Sequence, residues 1–187
     1  SIESLGDRIS SGLVFAIEAA TLAMVGLGAA TVKIGADFEQ AVTTLGAIRG
    51  QTGADLKPFE EQARLLGETT AFTATEAARG MQELARAGMQ TSDIIASSND
   101  ALKFAGANAT DMTTSTTLLA ATMAQFGLNA SQSTRVVDTF TSALQNSLLN
   151  VETLQVAMRY AGSVGASFGR SFEETVAMVA LFRDLGL

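Results

Sequence analysis

The adjacent carboxylates at Glu60–Glu61 and Glu173–Glu174 are the side chains of this sequence that come nearest to an acid–base pair. Neighbouring residues of a helix point about 100° apart, so neither pair can place both carboxylates on one reacting group. A solvated helix face and a favourable charge near a helix N-terminus account for these residues without catalysis. No acid–base centre is predicted at either place.

The other common routes to catalysis or ligand binding lack their usual residues. The 187 residues include no His and no Cys, which removes the commonest general base, the thiol nucleophile and most zinc ligands. The Gly-rich run at 26–30 follows no strand and precedes no Gly-Lys-Ser/Thr motif, so it does not predict a phosphate-binding loop. Lys33, Lys57 and Lys103 are isolated from one another. We therefore predict a protein that is not an enzyme, with no catalytic residue, cofactor, bound metal or small-molecule substrate.

The overall charge of the chain argues against nucleic acid as a partner. Its 12 Lys and Arg residues are outnumbered by 19 Asp and Glu residues, for a formal net charge of −7, and no basic cluster offsets this balance. Binding to nucleic-acid phosphates depends on clustered positive charge. We predict no specific binding to nucleic acid.

The elements that carry these residues are predicted to be helices. The chain contains one Pro and 47% hydrophobic residues, and its apolar residues recur every three or four positions. The resulting stripes are narrow and rich in Ala, so each helix must pack on its neighbours. We predict an all-α fold, either a multi-helix bundle or an array of short amphipathic helices, with an apolar N-terminal helix. The stripes contain Phe59, Ala63 and Leu66; Ala74, Ala77, Ala78, Met81, Leu84 and Ala85; Met112, Leu119, Met123 and Phe126; Val136, Phe140, Leu144 and Leu148; Leu154, Met158 and Ala161; and Phe172, Val176, Val179 and Phe182.

Two helices are predicted to share the same start and stop signals. Thr73 with Glu76, and Ser171 with Glu174, have the spacing of a capping box, in which a hydroxyl and a carboxylate bond backbone N–H groups reciprocally. A Gly closes each helix and suits the left-handed conformation found there. The repetition suggests a duplicated helical unit that meets other helices rather than a substrate. Positive φ is predicted at Gly88, Gly127 and Gly186.

Two further helix starts are predicted from oxygen-bearing side chains in front of an apolar stripe. Asp55 is a candidate N-cap, which would place Pro58 in the first helical turn, where Pro is tolerated. Asp111 or Thr110 is a candidate N-cap for the Thr-rich segment that follows it.

Residues 1–36 form a separate apolar region. Glu18 is the only charged residue between Arg8 and Lys33. A helix that spans a bilayer needs about 20 apolar residues, and a carboxylate at mid-bilayer costs up to ~3 kcal/mol. The region is predicted to be either a helix buried against other helices or a helix that inserts into a membrane through residues 12–34.

Self-association is predicted through residues 1–36. The run from Gly12 to Val32 is apolar on every side, so it must be covered by the rest of the chain, by copies of itself or by lipid. Small residues allow like helices to approach closely, which favours homo-oligomer contact ahead of lipid. These small residues are Ala16, Ala20, Gly26 and Ala30.

The termini are interpreted as those of a fragment or processed piece. The sequence begins at Ser1 without an initiator Met and ends one residue after a predicted Gly cap. Glu3 and Asp7 beside Arg8 leave no net-positive leader before the apolar run, so no secretory signal is predicted.

A series of short motifs between Asp37 and Leu187 is specific in its order rather than in any single member. The series is DFEQ, a Thr-Gly turn, TATEAA, FGL, and SFEE with a closing Leu-Gly. It resembles the core region of the phage tail tape measure proteins, a family of tailed phages and prophages. Pro58 departs from the pattern of that family, which predicts a kink or a later helix start there.

The resemblance implies a structural protein that fixes tail length during assembly, fills the tail tube lumen in several copies and is ejected at infection to assist genome passage. It implies contacts with tail tube or tail tip proteins and a location in the virion tail, with assembly in the bacterial host cytoplasm. The family core carries no catalytic residues, so none are carried over. Residues 37–187 would be the N-terminal part of the core domain, truncated at its C-terminal end. The alternative is a membrane-active helical protein that inserts through residues 12–34.

Overall fold

The computed structural model describes residues 33–186, which fold into helices joined by short turns. No strand occurs among these residues, so the predicted all-α fold is confirmed. The helices are α1 (33–49), α2 (Lys57–Thr69), α3 (Ala74–Arg86), α4 (Thr91–Ala107), α5 (Met112–Phe126), α6 (Ser133–Asn146), α7 (Val151–Ser167) and α8 (Phe172–Asp184), with short 3-10 turns at Gly53–Leu56 and Ala130–Gln132.

Contacts divide the chain into two units, with the boundary between Glu39 and Gln40. Of the first unit, the structure describes residues 33–39, which are helical. The predictions for the apolar N-terminal region lie outside the described residues, apart from those that concern residues 33–36. In the described part of the chain, no helix combines the length and the apolarity needed to cross a bilayer.

Helices α2 to α8 pack as an array of two rows. Each helix from α2 to α6 contacts the helix two positions further along the chain. As a result, α2, α4, α6 and α8 form one row, and α3, α5 and α7 form the other. Contacts between successive helices, such as α3 with α4 and α7 with α8, join the two rows. Of the two predicted architectures the structure is the array, in which neighbouring helices cover one another.

A ladder of Phe side chains runs through the row of even-numbered helices. Phe104 of α4 meets Phe140 of α6 with ring centres 6.0 Å apart, and Phe140 meets Phe172 of α8 edge-on at 5.6 Å. All three side chains are buried. Such aromatic pairs add about 0.5–1.5 kcal/mol each beyond the apolar area that they bury. The ladder therefore joins three helices through one continuous core.

The capping boxes predicted for α3 and α8 are confirmed. The Glu76 N–H donates to the Thr73 hydroxyl at 3.2 Å, and the Thr73 N–H donates to the Glu76 carboxylate at 2.7 Å. Ser171 and Glu174 make the same two bonds at 3.1 and 3.0 Å. Each box pairs N–H groups that the first helical turn would otherwise leave without a partner.

Of the two Asp residues predicted as N-caps, the structure confirms Asp111 and contradicts Asp55. Asp111 caps α5 by accepting a bond from the Thr114 N–H at 2.8 Å, and the bond from the Thr114 hydroxyl lowers the pKa of the Asp111 carboxyl. The prediction for Asp55 is wrong, because a 3-10 turn precedes α2 and its cap position belongs to Leu56. Pro58 lies in the first turn of α2, which confirms the later helix start predicted there.

Left-handed residues end most of the described helices. The predicted positive φ is confirmed at Gly88, Gly127 and Gly186, with values of 83°, 63° and 76°. Gly169, with a φ of 71°, has the same role after α7 and was not predicted. Ala109 has a φ of 50° after α4, although its Cβ disfavours this conformation.

The turns around these residues follow one geometry. The Met89 N–H donates to the Leu84 carbonyl at 3.3 Å, and the Leu128 N–H donates to the Met123 carbonyl at 2.8 Å, as in a Schellman motif. The N-cap of the next element comes two residues after the left-handed residue. The pairs of left-handed residue and N-cap are Gly50 and Thr52, Gly88 and Gln90, Ala109 and Asp111, Gly127 and Asn129, and Gly169 and Ser171.

The described chain contains a structural repeat, in which corresponding residues lie 77 positions apart except at the turn between its last two helices, where Gly88 and Gly169 lie 81 positions apart because α7 is four residues longer than α3. The end of α1 corresponds to the end of α5, and α2, α3 and α4 correspond to α6, α7 and α8. At the ends of α2 and α6, the hydroxyls of Thr70 and Ser147 donate to the carbonyl four residues earlier, at 2.6 and 2.8 Å. The matched pairs are Gly50 and Gly127, Thr52 and Asn129, Thr70 and Ser147, Thr73 and Asn150, Met81 and Met158, and Ala109 and Gly186.

The repeat pairs the helices differently from the sequence analysis. Shared start and stop signals suggested α3 and α8 as the duplicated unit, whereas α3 corresponds to α7 and lies in the other row from α8. The signals coincide because α3 and α8 both have 13 residues, while α4 and α7 both have 17. The shared signals therefore reflect equal helix lengths and similar caps, not equivalent positions.

Replacing Gly88 by Ala should lower the free energy of unfolding by about 1 kcal/mol, because a Cβ penalises the left-handed conformation. An added Cβ would meet no atom within 4 Å there, so the loss would be purely conformational. Ala109→Gly should raise the free energy of unfolding by a similar amount for the same reason. Urea denaturation followed by circular dichroism measures both changes.

Gly106→Ala is the matched control. Gly106 lies inside α4, where an added Cβ would make an ordinary contact with Phe72 at 3.9 Å. Because Ala favours a helix over Gly by up to about 1 kcal/mol, this change should be neutral or stabilising. A loss as large as that of Gly88→Ala would contradict the conformational explanation.

Candidate interaction surface

Three of the four carboxylates considered for acid–base chemistry have structural roles. Glu174 belongs to the capping box of α8, and Glu173 forms an ion pair with Arg135 of α6. Glu60 lies in the first turn of α2, where its charge favours the helix N-terminus. Among residues 33–186, no group of three or more His, Cys, Asp or Glu side chains is placed to hold a metal ion.

Asp100 of α4 is a buried carboxylate that sequence reasoning missed. It is 8% exposed and accepts hydrogen bonds from the hydroxyls of Ser133 at 2.5 Å and Thr134 at 2.9 Å, at the start of α6. Lys103 Nζ lies 3.7 Å from the same carboxylate and offsets its charge. Asp100 therefore fastens α4 to the next helix of its row. A lone Asp within a helix gives no sequence signal for partners so far along the chain.

A continuous apolar surface, here called the end face, lies on α7 and α8. Its members on α7 recur every four residues, which places them on one side of the helix. Each member is between 39% and 79% exposed, which is unusual for side chains so large and apolar. The end face consists of Val156, Tyr160, Val164, Phe168, Met178 and Phe182. The prediction that Phe182 and Leu148 pack within their stripes is wrong, because in the described chain no helix covers them and they are 51% and 70% exposed.

Helix α7 has apolar residues on two sides. Opposite the end face, Val151, Leu154 and Met158 are at most 5% exposed and form a buried stripe with Gly162 and Gly165. A helix that is apolar on both sides is typical of a core position. In the described chain, α5 and α8 cover the buried stripe, while the end face stays open.

A groove runs along the end face between α7 and α8. Two adjoining cavities of about 700 and 460 Å³ form the groove and share Ala161, Val179 and Phe182 in their walls. Charged groups stand near its two ends, with Glu152 at the start of α7 and Arg170 after it. A small-molecule site would need several converging polar groups inside the cavity. The groove instead fits a row of apolar side chains such as those of a helix.

The depth of the groove depends on Gly residues of α7. A Cβ at Gly165 would overlap Oγ1 of Thr175, which is buried and donates to the Ser171 carbonyl at 3.0 Å. A Cβ at Gly162 would overlap the side-chain amide of Gln125 in α5, which is longer and can rotate away. Gly165 therefore sets the close approach of α7 to α8.

Comparison with known proteins gives a family for most of the chain. Residues 60–187 match the phage-related minor tail protein family. The tape measure protein of Pneumococcus phage Dp-1 is 36% identical over 169 residues, which is 90% of this chain and 15% of that protein. The probable tape measure protein of Escherichia phage P2 is 28% identical over 194 residues, which is 98% of this chain and 24% of that protein. No solved structure matches the chain.

Replacing Gly165 by Ala should lower the free energy of unfolding by about 1–3 kcal/mol, the usual cost of overpacking where the neighbour cannot move. Gly162→Ala is the matched change and should cost less, because Gln125 can move and Ala favours the helix. Urea denaturation of both variants measures the difference. Equal losses would contradict the conclusion that Gly165 sets the spacing of α7 and α8.

Proposed function

Since the chain belongs to the phage-related minor tail protein family, we propose that it is part of a tape measure protein, the structural component that fixes tail length during assembly. It fills the lumen of the tail tube in the virion, after assembly in the bacterial host cytoplasm, and leaves at infection to assist passage of the genome. The observation that carries this proposal is the similarity to two tape measure proteins over 90% and 98% of the chain.

The surface chemistry of the chain supports a role in assembly. The described helices are held together by apolar contacts within and between the two rows, and six of the eleven exposed large apolar side chains in the described chain lie on the end face. Such a surface takes other helices, from tail tube or tail tip proteins or from further copies of the chain. The proposal involves no reaction at a catalytic centre.

The acidic balance of the chain is compatible with a place in the tail tube. With a net charge of −7, the chain repels the phosphates of DNA instead of binding them. A tape measure protein occupies the tail tube and must leave it before the genome passes. Repulsion from DNA favours this exit, because attraction would hold the protein and the DNA together in the tube.

An in-frame deletion of residues 40–187 from the phage or prophage gene should abolish tails or shorten them. An α-helix rises about 1.5 Å per residue. For residues that are helical in the tail, this rise is the upper limit of the shortening per deleted residue. Electron microscopy of purified particles measures tail length, and mass spectrometry of wild-type virions should detect peptides from residues 40–187.

The stable variant Gly106→Ala is the control for this experiment and should give tails of normal length. Normal-length tails in the deletion mutant would contradict the tape measure role. Normal-length tails that lack a tip structure would assign the chain to the tail tip instead.

The full chain should self-associate, and a form lacking residues 1–36 should do so less, because the apolar run from Gly12 to Val32 needs cover in water. Sedimentation in detergent-free buffer compares the two forms. A full chain that sediments as a clean monomer would refute this prediction. Association that survives unchanged without residues 1–36 would place the contact elsewhere.

A further inference from the structure

We propose that the groove of the end face holds the next helix of the array, formed by the polypeptide that follows Leu187 in the full-length protein. The proposal rests on the repeat and on the open groove, and it does not depend on the tape measure role.

The repeat shows what occupies the corresponding groove one unit earlier. Helices α7 and α8 correspond to α3 and α4, and the groove between α3 and α4 is filled by α5, which contacts both helices. Met112 at the start of α5 lies against Gly80 of α3, so closely that a Cβ on Gly80 would overlap it. Ala157 of α7 corresponds to Gly80 and lines the open groove. A helix equivalent to α5 would cover this position.

The chain leaves α8 through the same turn that leads into α5. Gly186 corresponds to Ala109, and both have a positive φ. The Gly186 N–H donates to the Arg183 carbonyl at 3.1 Å, as the Gly88 N–H donates to the Ala85 carbonyl at 2.9 Å. The left-handed turn at Ala109 leads the chain into α5, and the same turn at Gly186 would direct the following residues to the groove.

The regular spacing of these turns gives the register of the missing helix. Each left-handed residue that leads into a helix or 3-10 turn is followed two positions later by an N-cap, as Ala109 is by Asp111. The helix after Gly186 should therefore have its N-cap at position 188 and begin at position 189. Position 188 should hold Ser, Thr, Asp or Asn, and position 189, the counterpart of Met112, should be apolar.

The polypeptide of the same protein is a better occupant than a second copy. The matched stretch makes up only 15% and 24% of the two relatives, so chain to fill the groove is present in such proteins. A tethered segment acts at an effective concentration in the millimolar range.

Thiol labelling tests whether the groove is filled, since the chain has no Cys of its own. Met178→Cys places a thiol in the groove at a position that is 39% exposed, and Arg86→Cys places a control thiol on α3, where the side chain is 51% exposed. Met178 corresponds to Ala101, which is fully buried beneath α5 and accepts a hydrogen bond from the Ser115 hydroxyl of that helix. Each variant is labelled in the 187-residue chain and in the full-length protein, and the modified peptide is quantified by mass spectrometry. Circular dichroism checks that the variants fold.

We expect Met178→Cys to be labelled at least about tenfold more slowly in the full-length protein than in the 187-residue chain, with Arg86→Cys unchanged. Equal labelling of Met178→Cys in both proteins would overturn the proposal. Protection that rises with the concentration of the 187-residue chain, or on addition of phosphatidylcholine vesicles, would also overturn it, in favour of a second copy or of lipid.

Discussion

No helix of this array can bury its apolar residues on its own, and each relies on a helix two positions along the chain to cover it. Helix α5 illustrates the constraint, because Leu118 and Leu119 are adjacent in sequence, point in different directions and are both at most 2% exposed. Contacts with α3 on one side and α7 on the other make this burial possible. Helix α7 has the same two-sided character, but only one of its sides is covered within the described chain. The exposed end face is therefore the expected consequence of stacking that stops at α8.

The two rows solve the packing problem with different side chains. The even-numbered row uses the large rings of Phe104, Phe140 and Phe172, which join successive helices through one tilted contact and one edge-to-face contact. The odd-numbered row uses small residues that admit a neighbour, as Gly80 does for Met112 and Gly162 does for Gln125. Asp100 adds polar contacts between α4 and α6, the same two helices that Phe104 and Phe140 join. The even-numbered row is thus held together by Phe rings and the Asp100 carboxylate. The odd-numbered row is held together by side chains that pack closely against Gly residues.

The sequence predicted the local features of this fold well, because caps and closing turns depend on residues a few positions apart. The capping boxes at Thr73 and Ser171 and the positive φ of Gly88 could be predicted from the sequence for that reason. The two rows of helices and the repeat could not be predicted, because they depend on contacts between segments that are distant in the sequence. The matched residues Thr52 and Asn129 also occupy the same N-cap position without sharing an identity, and of the two side chains only that of Asn129 makes a capping bond. The end face was missed because α7 has apolar residues on two sides. The sequence alone does not show which of these sides is covered by neighbouring helices.

An array built from a repeat has a physical consequence for a protein whose proposed role concerns length. Each unit contacts its neighbours through the same kind of groove and the same left-handed turn, so further units need no new type of interface. Stability in such an array is local, which leaves α7 and α8 as the weakest part wherever the groove is empty. Ala109 and Gly186 show that the turn itself tolerates sequence change, since one keeps its left-handed conformation despite a Cβ. What must be preserved from unit to unit is therefore the spacing of turn and cap, more than the identity of any residue.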